Sequence, residues 1–399
     1  MLTYVTAGES HGPQLTTILT GMPAGLHVDI DKLNFQLARR QIGYGRGGRM
    51  KIESDQAQIL SGVRNGFTLG SPITLVIPNK DWPNWEKIMH PINPIADDLN
   101  QTQTRLAEMT TKPRPGHADL AGGIKHNQHD LRNILERASA RETAARVAVG
   151  SLPRQLLEQF GIRVASHVVQ IGSVKLEAGY DQNDLESITK ISEQSEVRCI
   201  DKATEESMIA EIRSAKMAKD SLGGVVEILI SGLPAGLGGF AQSSDRLDGR
   251  LAGALMSVQS VKGVEVGLGF ATSGLRGSEV HDEIHFATDG DPRKKKFYRK
   301  TNRAGGIEGG MTNGETVVLH VGCKPISTLN RPLKTVDVRS KEAQEAMVER
   351  TDNCVVPALG VVCEAVAAYV LADSFLAKFG SDNFEELKRN YESWLAWEY

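Results

Sequence analysis

The sequence carries one short glycine and proline motif twice, as GMPAGL at residues 21–26 and as GLPAGL at residues 232–237. An apolar run that predicts a strand precedes each copy, LTTILT at 15–20 and VVEILIS at 225–231. Glycine and proline then interrupt the run, which predicts a turn. The same strand and turn are therefore expected in both halves of the chain.

Three more pairs of similar segments, called echoes below, follow in the same order along the two halves. They pair DKLNFQLA at 31–38 with DRLDGRLA at 245–252, GVRNGFTLGSPITLVI at 62–77 with GIEGGMTNGETVVLHV at 306–321, and, more weakly, ERAS at 136–139 with ERTD at 349–352. Chance similarity between glycine turns can explain any one echo, but four echoes in one order favour a duplicated unit. The sequence thus predicts an α+β fold in a single domain, 1–399, with two similar halves at about 1–165 and 220–385.

The composition is that of a globular protein. The chain has 399 residues, 40% of them apolar, and its 46 basic and 49 acidic side chains give no net basic charge for binding nucleic acid. Its four cysteines form no C-x-x-C pair and no metal-ligand spacing, which is typical of free thiols in a reducing compartment. The N-terminus lacks a signal-peptide pattern, and no apolar run reaches the roughly 20 residues of a membrane span. These features predict a cytoplasmic protein without a membrane or nucleic-acid partner.

A cluster of arginines and glycines, RRQIGYGRGGRM at 39–50, needs a separate explanation. The spacing Gly43-x-Gly45-x-x-Gly48 matches the dinucleotide-binding fingerprint, but that loop follows a strand, whereas these glycines follow a predicted helix at 31–41. Arginine–glycine repeats also occur in nucleic-acid-binding tails, an alternative that rests on this cluster alone. The order of the predicted elements argues against the first alternative, and the balanced charge argues against the second.

The two halves differ where function is expected. The second half has AGALMSVQ at 252–259 in place of the arginines, so the shared fold does not need them. The first half also has a long additional segment at about 80–130, and loops on a rigid scaffold are where sites usually lie. The arginine cluster and the additional segment are therefore expected to serve function rather than the fold.

Seven motifs together resemble the chorismate synthase family. They are GESHG at 8–12, RRQIGYGRGGRM at 39–50, RPGHAD at 114–119, ERASARET at 136–143, GGIEGGMTNG at 305–314, KPISTL at 324–329 and ERTD at 349–352. The resemblance implies conversion of 5-enolpyruvylshikimate 3-phosphate to chorismate and phosphate by a 1,4-anti elimination. It implies a requirement for reduced FMN although the reaction has no net redox change. It further implies a homotetramer of chains with a β-α-β sandwich fold built from two similar halves.

The resemblance also assigns binding residues. Those assigned to the substrate are Arg40, Arg46, Arg49, Arg114 and Arg141, and arginine suits its two carboxylates and phosphate because it binds such groups bidentately. Those assigned to the flavin are Arg137, Ala138, Ser139, Gln259, Ser260, Gly309, Lys324, Pro325, Ile326, Ser327, Thr328 and Arg350. Arg40 and Arg46 are also candidate contacts for NADPH, and the resemblance leaves open whether NADPH or an outside reductant reduces the flavin. Arg39 has no role in the motifs, and a solvated surface position is an alternative for it.

Two histidines and an aspartate are the expected catalytic residues. His11 and His117 lie in polar, glycine-containing loops, and a histidine can donate or hold a proton near neutral pH. The resemblance assigns His11 to protonation of the departing phosphate and His117 to stabilisation of the anionic reduced flavin. It assigns Asp352 to the role of a base, together with the hydroxyl of Thr351. We expect the ERAS and ERTD segments to contact the flavin from two sides, and the basic run at 291–303 to be a solvated loop or one that closes over the site.

Overall fold

The computed structural model describes residues 1–46, 54–287, 297–348 and 352–397. The strands are β1 Thr3–Ala7, β2 Gln14–Thr20, β3 Gln58–Ile59, β4 Val63–Arg64, β5 Phe67–Thr68, β6 Ile73–Pro78, β7 Arg163–Ile171, β8 Val174–Lys175, β9 Gly224–Ser231, β10 Val261–Val266, β11 Ile284–Phe286, β12 Phe297–Arg299, β13 Ile307–Glu308, β14 Met311–Thr312, β15 Val317–Cys323, β16 Lys334–Val336 and β17 Ala343–Glu345. The helices are α1 Ile30–Gln41, α2 Trp82–Met89, α3 Gln101–Ala107, α4 Asp119–His126, α5 Arg132–Ala138, α6 Thr143–Glu158, α7 Leu185–Gln194, α8 Lys202–Met217, α9 Leu247–Met256, α10 Gly277–Val280, α11 Val356–Phe379 and α12 Phe384–Ala396. Short 3-10 helices are formed by Ala140–Glu142 and Gly269–Gly274.

Two antiparallel sheets repeat one strand order. In the described residues the first sheet has the order β1-β2-β6-β3, and the second has the order β10-β15-β9-β7-β8. Strands β7, β9, β15 and β10 of the second sheet correspond to β1, β2, β6 and β3 of the first. The order of these four strands is therefore the same in both sheets, and β8 is an additional strand next to β7. The hairpins β4–β5 and β13–β14 extend the match, because each lies in sequence between equivalent strands. The α+β fold is confirmed, whereas the origin of the halves by duplication and their bounds in a single domain stay predictions.

The echoed turns form the same hydrogen bonds. Thr68 Oγ1 donates to the carbonyl oxygen of Pro23 at 2.5 Å, and Thr312 Oγ1 donates to that of Pro234 at 2.6 Å. Thr68 ends β5 and Thr312 ends β14. The two hydrogen bonds therefore fix the β4–β5 hairpin to the turn after β2, and the β13–β14 hairpin to the turn after β9. The similarity in sequence therefore corresponds to a similarity in local structure.

Helices α6 and α11 pack against each other between the two sheets. Because α6 contacts β2 and β6 while α11 contacts β7 and β9, the molecule has a sheet, a helical layer and a second sheet. Gly150 of α6 permits the close approach of the helices, since a Cβ atom there would lie 2.3 Å from the carbonyl oxygen of Ala365 in α11. This arrangement agrees with the expected β-α-β sandwich.

Helix α11 is strongly apolar, and the rest of the protein buries it. By length and composition its 24 residues could cross a membrane, which corrects the expectation that no segment reaches that length. In the structure, however, 94% of the apolar 18-residue stretch of this helix is buried inside the protein. A helix that is apolar all round belongs either in the core of a large protein or in a membrane, and its burial identifies α11 as a core helix.

Arg39 is buried in the core, which excludes the alternative of a solvated surface position. It lies in α1, is 4% exposed, and its Nη1 atom is 2.7 Å from Glu364 Oε2 in α11. The same oxygen of Glu364 lies 2.5 Å from Arg154 Nη1 in α6. A fully buried carboxylate requires such partners because removal from water disfavours its charge. Arg39 therefore helps to join three core helices.

Candidate active site

A cavity of about 1170 Å³ lies between the two halves of the chain. The additional segment of the first half forms part of its wall through Asp81, Trp85 and Arg105. The expected site residues that line the cavity are His11, Arg40, Arg46, Ser139, Arg141, Gln259, Ser260 and Asp352. The fold thus brings together residues from both halves that the motifs had singled out.

His11 is held in place by a buried carboxylate. It lies in the loop between β1 and β2, and its Nδ1 atom is 2.9 Å from both carboxylate oxygens of Glu136 in α5. Burial disfavours the charge of Glu136, but the hydrogen bond from His11 and the nearby Arg132 outweigh that effect, so the pKa of Glu136 lies below its ordinary value. The imidazole also stacks on the indole of Trp85 in α2, with ring centroids 3.9 Å apart. His11 therefore has a fixed orientation at the cavity wall.

One carboxylate organises two of the cavity arginines. Arg141 Nη1 donates to Asp55 Oδ2 at 2.6 Å, and Arg40 Nη1 lies 3.6 Å from the same oxygen. Arg40 Nε also donates to Thr143 Oγ1 at 2.9 Å. Both arginines and Asp55 are buried. The two guanidinium groups bring permanent positive charge to the cavity wall, which favours an anionic ligand.

The glycine-rich loop meets the segment that begins α11. Gly43 and Gly45 follow α1 and have φ values of 146° and 88°, which favour glycine. The amide of Asn353 donates to the carbonyl oxygen of Gly45 at 2.8 Å. Beside this contact, Arg46 Nε lies 3.2 Å from Asp352 Oδ2. Because these glycines follow a helix, they do not form a dinucleotide-binding turn between a strand and a helix.

His117 lies in a second polar cluster, outside the cavity lining. Its Nδ1 atom is 2.5 Å from Asp119 Oδ1, and Asp119 Oδ2 accepts a hydrogen bond from Arg114 Nε at 2.9 Å. Arg114 Nη1 donates to Thr328 Oγ1 at 3.0 Å. Burial disfavours the charge of Asp119, but the hydrogen bonds from His117 and Arg114 outweigh that effect and lower its pKa. The cluster thus joins one residue expected to bind substrate with two expected at the flavin.

The segment after β15 connects this cluster with the cavity. The amide of Lys324 donates to the carbonyl oxygen of Ser260 at 2.9 Å, and Lys324 Nζ donates to the carbonyl oxygen of Gly116. Ser221 Oγ donates to the carbonyl oxygen of Ile326 at 2.7 Å and holds the segment from the other side. Burial lowers the pKa of Lys324. The expected flavin contacts on this segment therefore lie between the cavity wall and the loop of His117.

Several expected site residues do not line the cavity. They are Arg114, His117, Arg137, Ala138, Gly309, Lys324, Pro325, Ile326, Ser327 and Thr328. The guanidinium of Arg137 donates to the carbonyl oxygens of Gly8 and Thr6 at 3.0 and 2.7 Å, so it supports the backbone around β1. Arg137 therefore gives no support to the hypothesis that the ERAS and ERTD segments contact one flavin from two sides. Gly309 lies in the turn of the β13–β14 hairpin.

Some predictions fall on residues that the structure does not describe. Arg49, Arg350 and Thr351 lie outside the described ranges, as do residues 291–296 of the basic run. The remainder of that run begins with β12, which pairs with β11. The expectation of a solvated or closing loop at 291–303 therefore stays a prediction.

Sequence reasoning missed the residues that position the expected ones. Glu136 and Asp119 are acidic residues inside the ERASARET and RPGHAD motifs, and a carboxylate within a motif that also has arginine or histidine was the available signal. Asp55 and Trp85 offered no such signal, because each meets its partner only in the folded chain.

Comparisons with known proteins agree with this geometry. The family model for chorismate synthase matches residues 2–376. The chain belongs to the chorismate synthase family. It is 53% identical to the chorismate synthase of Alkaliphilus metalliredigens over 99% of this chain and 100% of the relative, and 49% identical to that of Bacillus subtilis over 98% and 97%. A crystal structure of a chorismate synthase superposes with a TM-score of 0.77 at 41% identity, covering 99% of this chain and 97% of that one.

Membership in the chorismate synthase family identifies the chain as an enzyme with a small-molecule substrate. The resemblance found in the motifs is thereby confirmed. Because the matches extend over nearly the whole chain, both halves and the additional segment belong to the enzyme.

Proposed function

We propose that this enzyme converts 5-enolpyruvylshikimate 3-phosphate to chorismate and phosphate by a 1,4-anti elimination, with a requirement for reduced FMN and no net redox change. In this role it is a carbon–oxygen lyase of the shikimate pathway and of aromatic amino-acid biosynthesis. The observation that carries the proposal is one cavity in which His11 and the guanidinium groups of Arg40, Arg46 and Arg141 come together.

The charge of the cavity suits the proposed substrate. The substrate carries two carboxylates and a phosphate, so its pocket needs several permanent positive charges with directional donors. Besides the three arginines named above, Arg105, Lys112 and Arg132 line the cavity. Arginine keeps its charge at any working pH and offers a planar set of donors that matches these anionic groups.

The cavity also suits a bound flavin. Gln259 Nε2 donates to Glu142 Oε2 at 2.9 Å, and Gln259 Oε1 is buried without a hydrogen-bond partner among the described residues. A buried acceptor of this kind favours a ligand with an N–H donor, and a flavin ring has one. The volume of about 1170 Å³ exceeds what one small ligand usually needs, which leaves room for substrate and cofactor together.

The residues that would hold FMN are those of the cavity wall and of the segment after β15, namely Ser139, Gln259, Ser260 and Lys324 through Thr328. When bound, reduced FMN supplies an electron transiently for the loss of phosphate and recovers it as the ring hydrogen departs.

The side chains of this enzyme have separate tasks in the proposal. His11 donates a proton to the departing phosphate, and Asp352 serves as a base on the opposite half of the chain. The cavity arginines bind and orient the anionic groups of the substrate. His117, whose Nδ1 atom lies 2.5 Å from Asp119 Oδ1, stabilises the anionic reduced flavin in this proposal. These assignments rest on the motifs together with the geometry described above.

We further propose that the enzyme is a cytoplasmic homotetramer. Both statements rest on the family resemblance, and the buried free cysteines suit a reducing compartment. Arg40 and Arg46 are the proposed contacts for NADPH. An assay in which NADPH replaces the chemical reductant separates an enzyme that reduces its own flavin from one that depends on an outside reductant.

The decisive experiment is an anaerobic assay with chemically reduced FMN and 5-enolpyruvylshikimate 3-phosphate. We expect equal amounts of chorismate, followed by its absorbance, and of released phosphate. Oxidised FMN in the same assay should give no product. If well-folded enzyme with reduced FMN forms no chorismate, the proposed function is wrong.

A further inference from the structure

We propose that Glu136 is a positioning residue that keeps His11 protonated and fixes its ring so that Nε2 delivers the proton. This inference rests on the proposed function, in which His11 protonates the departing phosphate. Glu136 does not line the cavity, so it acts through His11 rather than on the substrate.

Four contacts tie His11 and its loop to Glu136. Both carboxylate oxygens lie 2.9 Å from His11 Nδ1, and Oε2 also accepts the backbone N–H of His11 at 2.9 Å. In addition, the backbone N–H of Ser10 donates to the carbonyl oxygen of Glu136 at 3.0 Å. Because a carboxylate only accepts hydrogen bonds, Nδ1 must carry a hydrogen in this arrangement. Nε2 is then the nitrogen that can give up a proton, and it carries one only in the imidazolium form.

The surroundings keep Glu136 ionised in spite of its burial. Its side chain is fully buried, and Arg132 Nη1, one helical turn away on α5, lies 3.3 Å from Oε1. An ionised carboxylate against Nδ1 stabilises the imidazolium of His11 by charge as well as by hydrogen bonding. The fixed pair of a histidine and a carboxylate is the arrangement that other enzymes use to hold an imidazole in one orientation.

The other groups around His11 limit its movement. The indole of Trp85 stacks on the imidazole, and its Nε1 atom donates to Asp81 Oδ2 at 3.0 Å, which fixes the indole in turn. The guanidinium of Arg132 lies 5.4 Å from the centre of the indole ring. The charged side chains that these described contacts place around the imidazole and the indole are Glu136 and Arg132 of α5 and Asp81, which precedes α2. Of these, Glu136 is the one in hydrogen-bond contact with the ring.

The test compares Glu136→Gln with Glu136→Asp. The first variant keeps the shape and removes the charge, and the second keeps the charge on a shorter side chain. Glu158→Gln is the matched control, because Glu158 pairs with Lys32 and Arg154 away from the cavity. Two quantities are measured between pH 5 and 9: turnover with reduced FMN, and the rate at which diethylpyrocarbonate modifies His11 in the ligand-free protein, quantified on the His11 peptide.

We expect Glu136→Gln to lower kcat by about tenfold or more at neutral pH, with little change in KM, because proton delivery and not substrate binding is impaired. The basic limb of its pH profile should move to lower pH by about one unit or more, the effect of a lost opposite charge. Since the reagent attacks unprotonated imidazole, modification of His11 should be faster in this variant at neutral pH. Glu136→Asp should retain the wild-type pH dependence at a reduced rate.

Each other result has a definite meaning. If Glu136→Gln lowers kcat but neither pH profile moves, Glu136 only supports the loop and the inference is wrong. The inference is also wrong if Glu136→Gln retains wild-type kcat. If the wild-type enzyme forms no chorismate, the proposed function fails, but the modification profile of the ligand-free protein still shows whether Glu136 controls the proton on His11. If Glu136→Gln does not fold, a shift in the modification profile of folded Glu136→Asp as large as one unit would overturn the inference.

Discussion

Asp352 Oδ2 lies 3.2 Å from Arg46 Nε, so the carboxylate proposed as a base is paired with an arginine proposed to bind the substrate. Arg46 belongs to the loop after α1, and Asp352 precedes α11, so the pair joins the two halves of the chain at the cavity. The backbone contact between Asn353 and Gly45 holds the two segments together at this point. Asp352 can therefore act on a proton, orient Arg46, or do both, and these roles are separable by experiment.

We predict that Asp352→Asn retains FMN affinity in the presence of substrate while turnover falls by about 10² or more. The amide keeps the shape of the side chain and an oxygen that can face Arg46, but it removes the charge and the basicity. Flavin affinity and the single-turnover rate should be measured on the same variant. Loss of affinity together with an intact rate at saturating ligand would show that Asp352 only orders Arg46. Glu186→Gln, an exposed carboxylate in α7, controls for the substitution itself.

For His11→Ala and His117→Ala we predict rate losses of roughly 10² to 10⁴, the usual effect of removing a general acid or base. His129→Ala is the matched control, because His129 is exposed on the additional segment. Single-turnover rates at saturating substrate and reduced FMN measure the effect. Near-normal turnover in either variant would assign that histidine a structural role.

The α+β class and the repeated turns could be predicted from the sequence because their signals are local. Glycine and proline turns after apolar runs recur at 21–26 and 232–237, and the structure has the same hydrogen bonds at both places. The environment of Arg39 could not be predicted in this way. Its partner Glu364 lies in a distant apolar helix, and only the packing of α1 against α11 brings the two charges together.

The candidate site was predictable in its charged residues but not in what holds them. His11, Arg40 and Arg141 stand in recognisable motifs, and the structure brings them to one cavity. Asp55, which pairs with both arginines, is separated from each of them in sequence, and no periodicity connects it with them. Gly309, in contrast, stands in a motif that predicted a flavin contact. Its hairpin turn lies outside the cavity lining.

We predict that Arg39→Met lowers the free energy of unfolding by about 3 kcal/mol, because it leaves the buried carboxylate of Glu364 with fewer partners. Urea unfolding measures the change. Arg163→Met, which removes an exposed arginine, should change the free energy of unfolding by less than about 0.5 kcal/mol. Activity per folded molecule should stay normal in Arg39→Met, since Arg39 does not line the cavity. A stability equal to wild type would show that the ion pair contributes nothing net.

Arg49→Ala, in contrast to Arg39→Met, should impair substrate binding and leave stability unchanged. We predict weaker binding of 5-enolpyruvylshikimate 3-phosphate with little change in thermal stability, because the second half of the chain forms its sheet without an equivalent arginine. KM and the melting temperature of the same preparation test this. A loss of melting temperature as large as that of Arg39→Met would contradict the prediction.

Another charged cluster, whose residues do not line the cavity, crosses the five-stranded sheet. Glu227 of β9 lies directly opposite His167 of β7 and His320 of β15, with Nε2 atoms 2.9 and 3.1 Å from its carboxylate oxygens. Tyr180 and Gln182 also donate to this carboxylate, at 3.0 and 2.7 Å. Glu227 is fully buried, so its charge depends on these partners.

This cluster should make the stability of the fold dependent on pH in the acid range. Burial disfavours the charge of Glu227, but the hydrogen bonds from His167 and His320 outweigh that effect and lower its pKa to about 2, from an ordinary value of 4.5. A carboxyl group with a lowered pKa in the folded state stabilises the fold above pH 4.5, and this contribution disappears as the pH falls towards 2. We predict that Glu227→Gln lowers the free energy of unfolding by about 3 kcal/mol at pH 7, and that its difference from wild type shrinks steadily below about pH 4.5. Urea unfolding of both proteins between pH 3 and 7, with the exposed Glu186→Gln as control, measures this difference. A difference that is the same at all these pH values would mean that the variant acts through packing and not through the charge of Glu227.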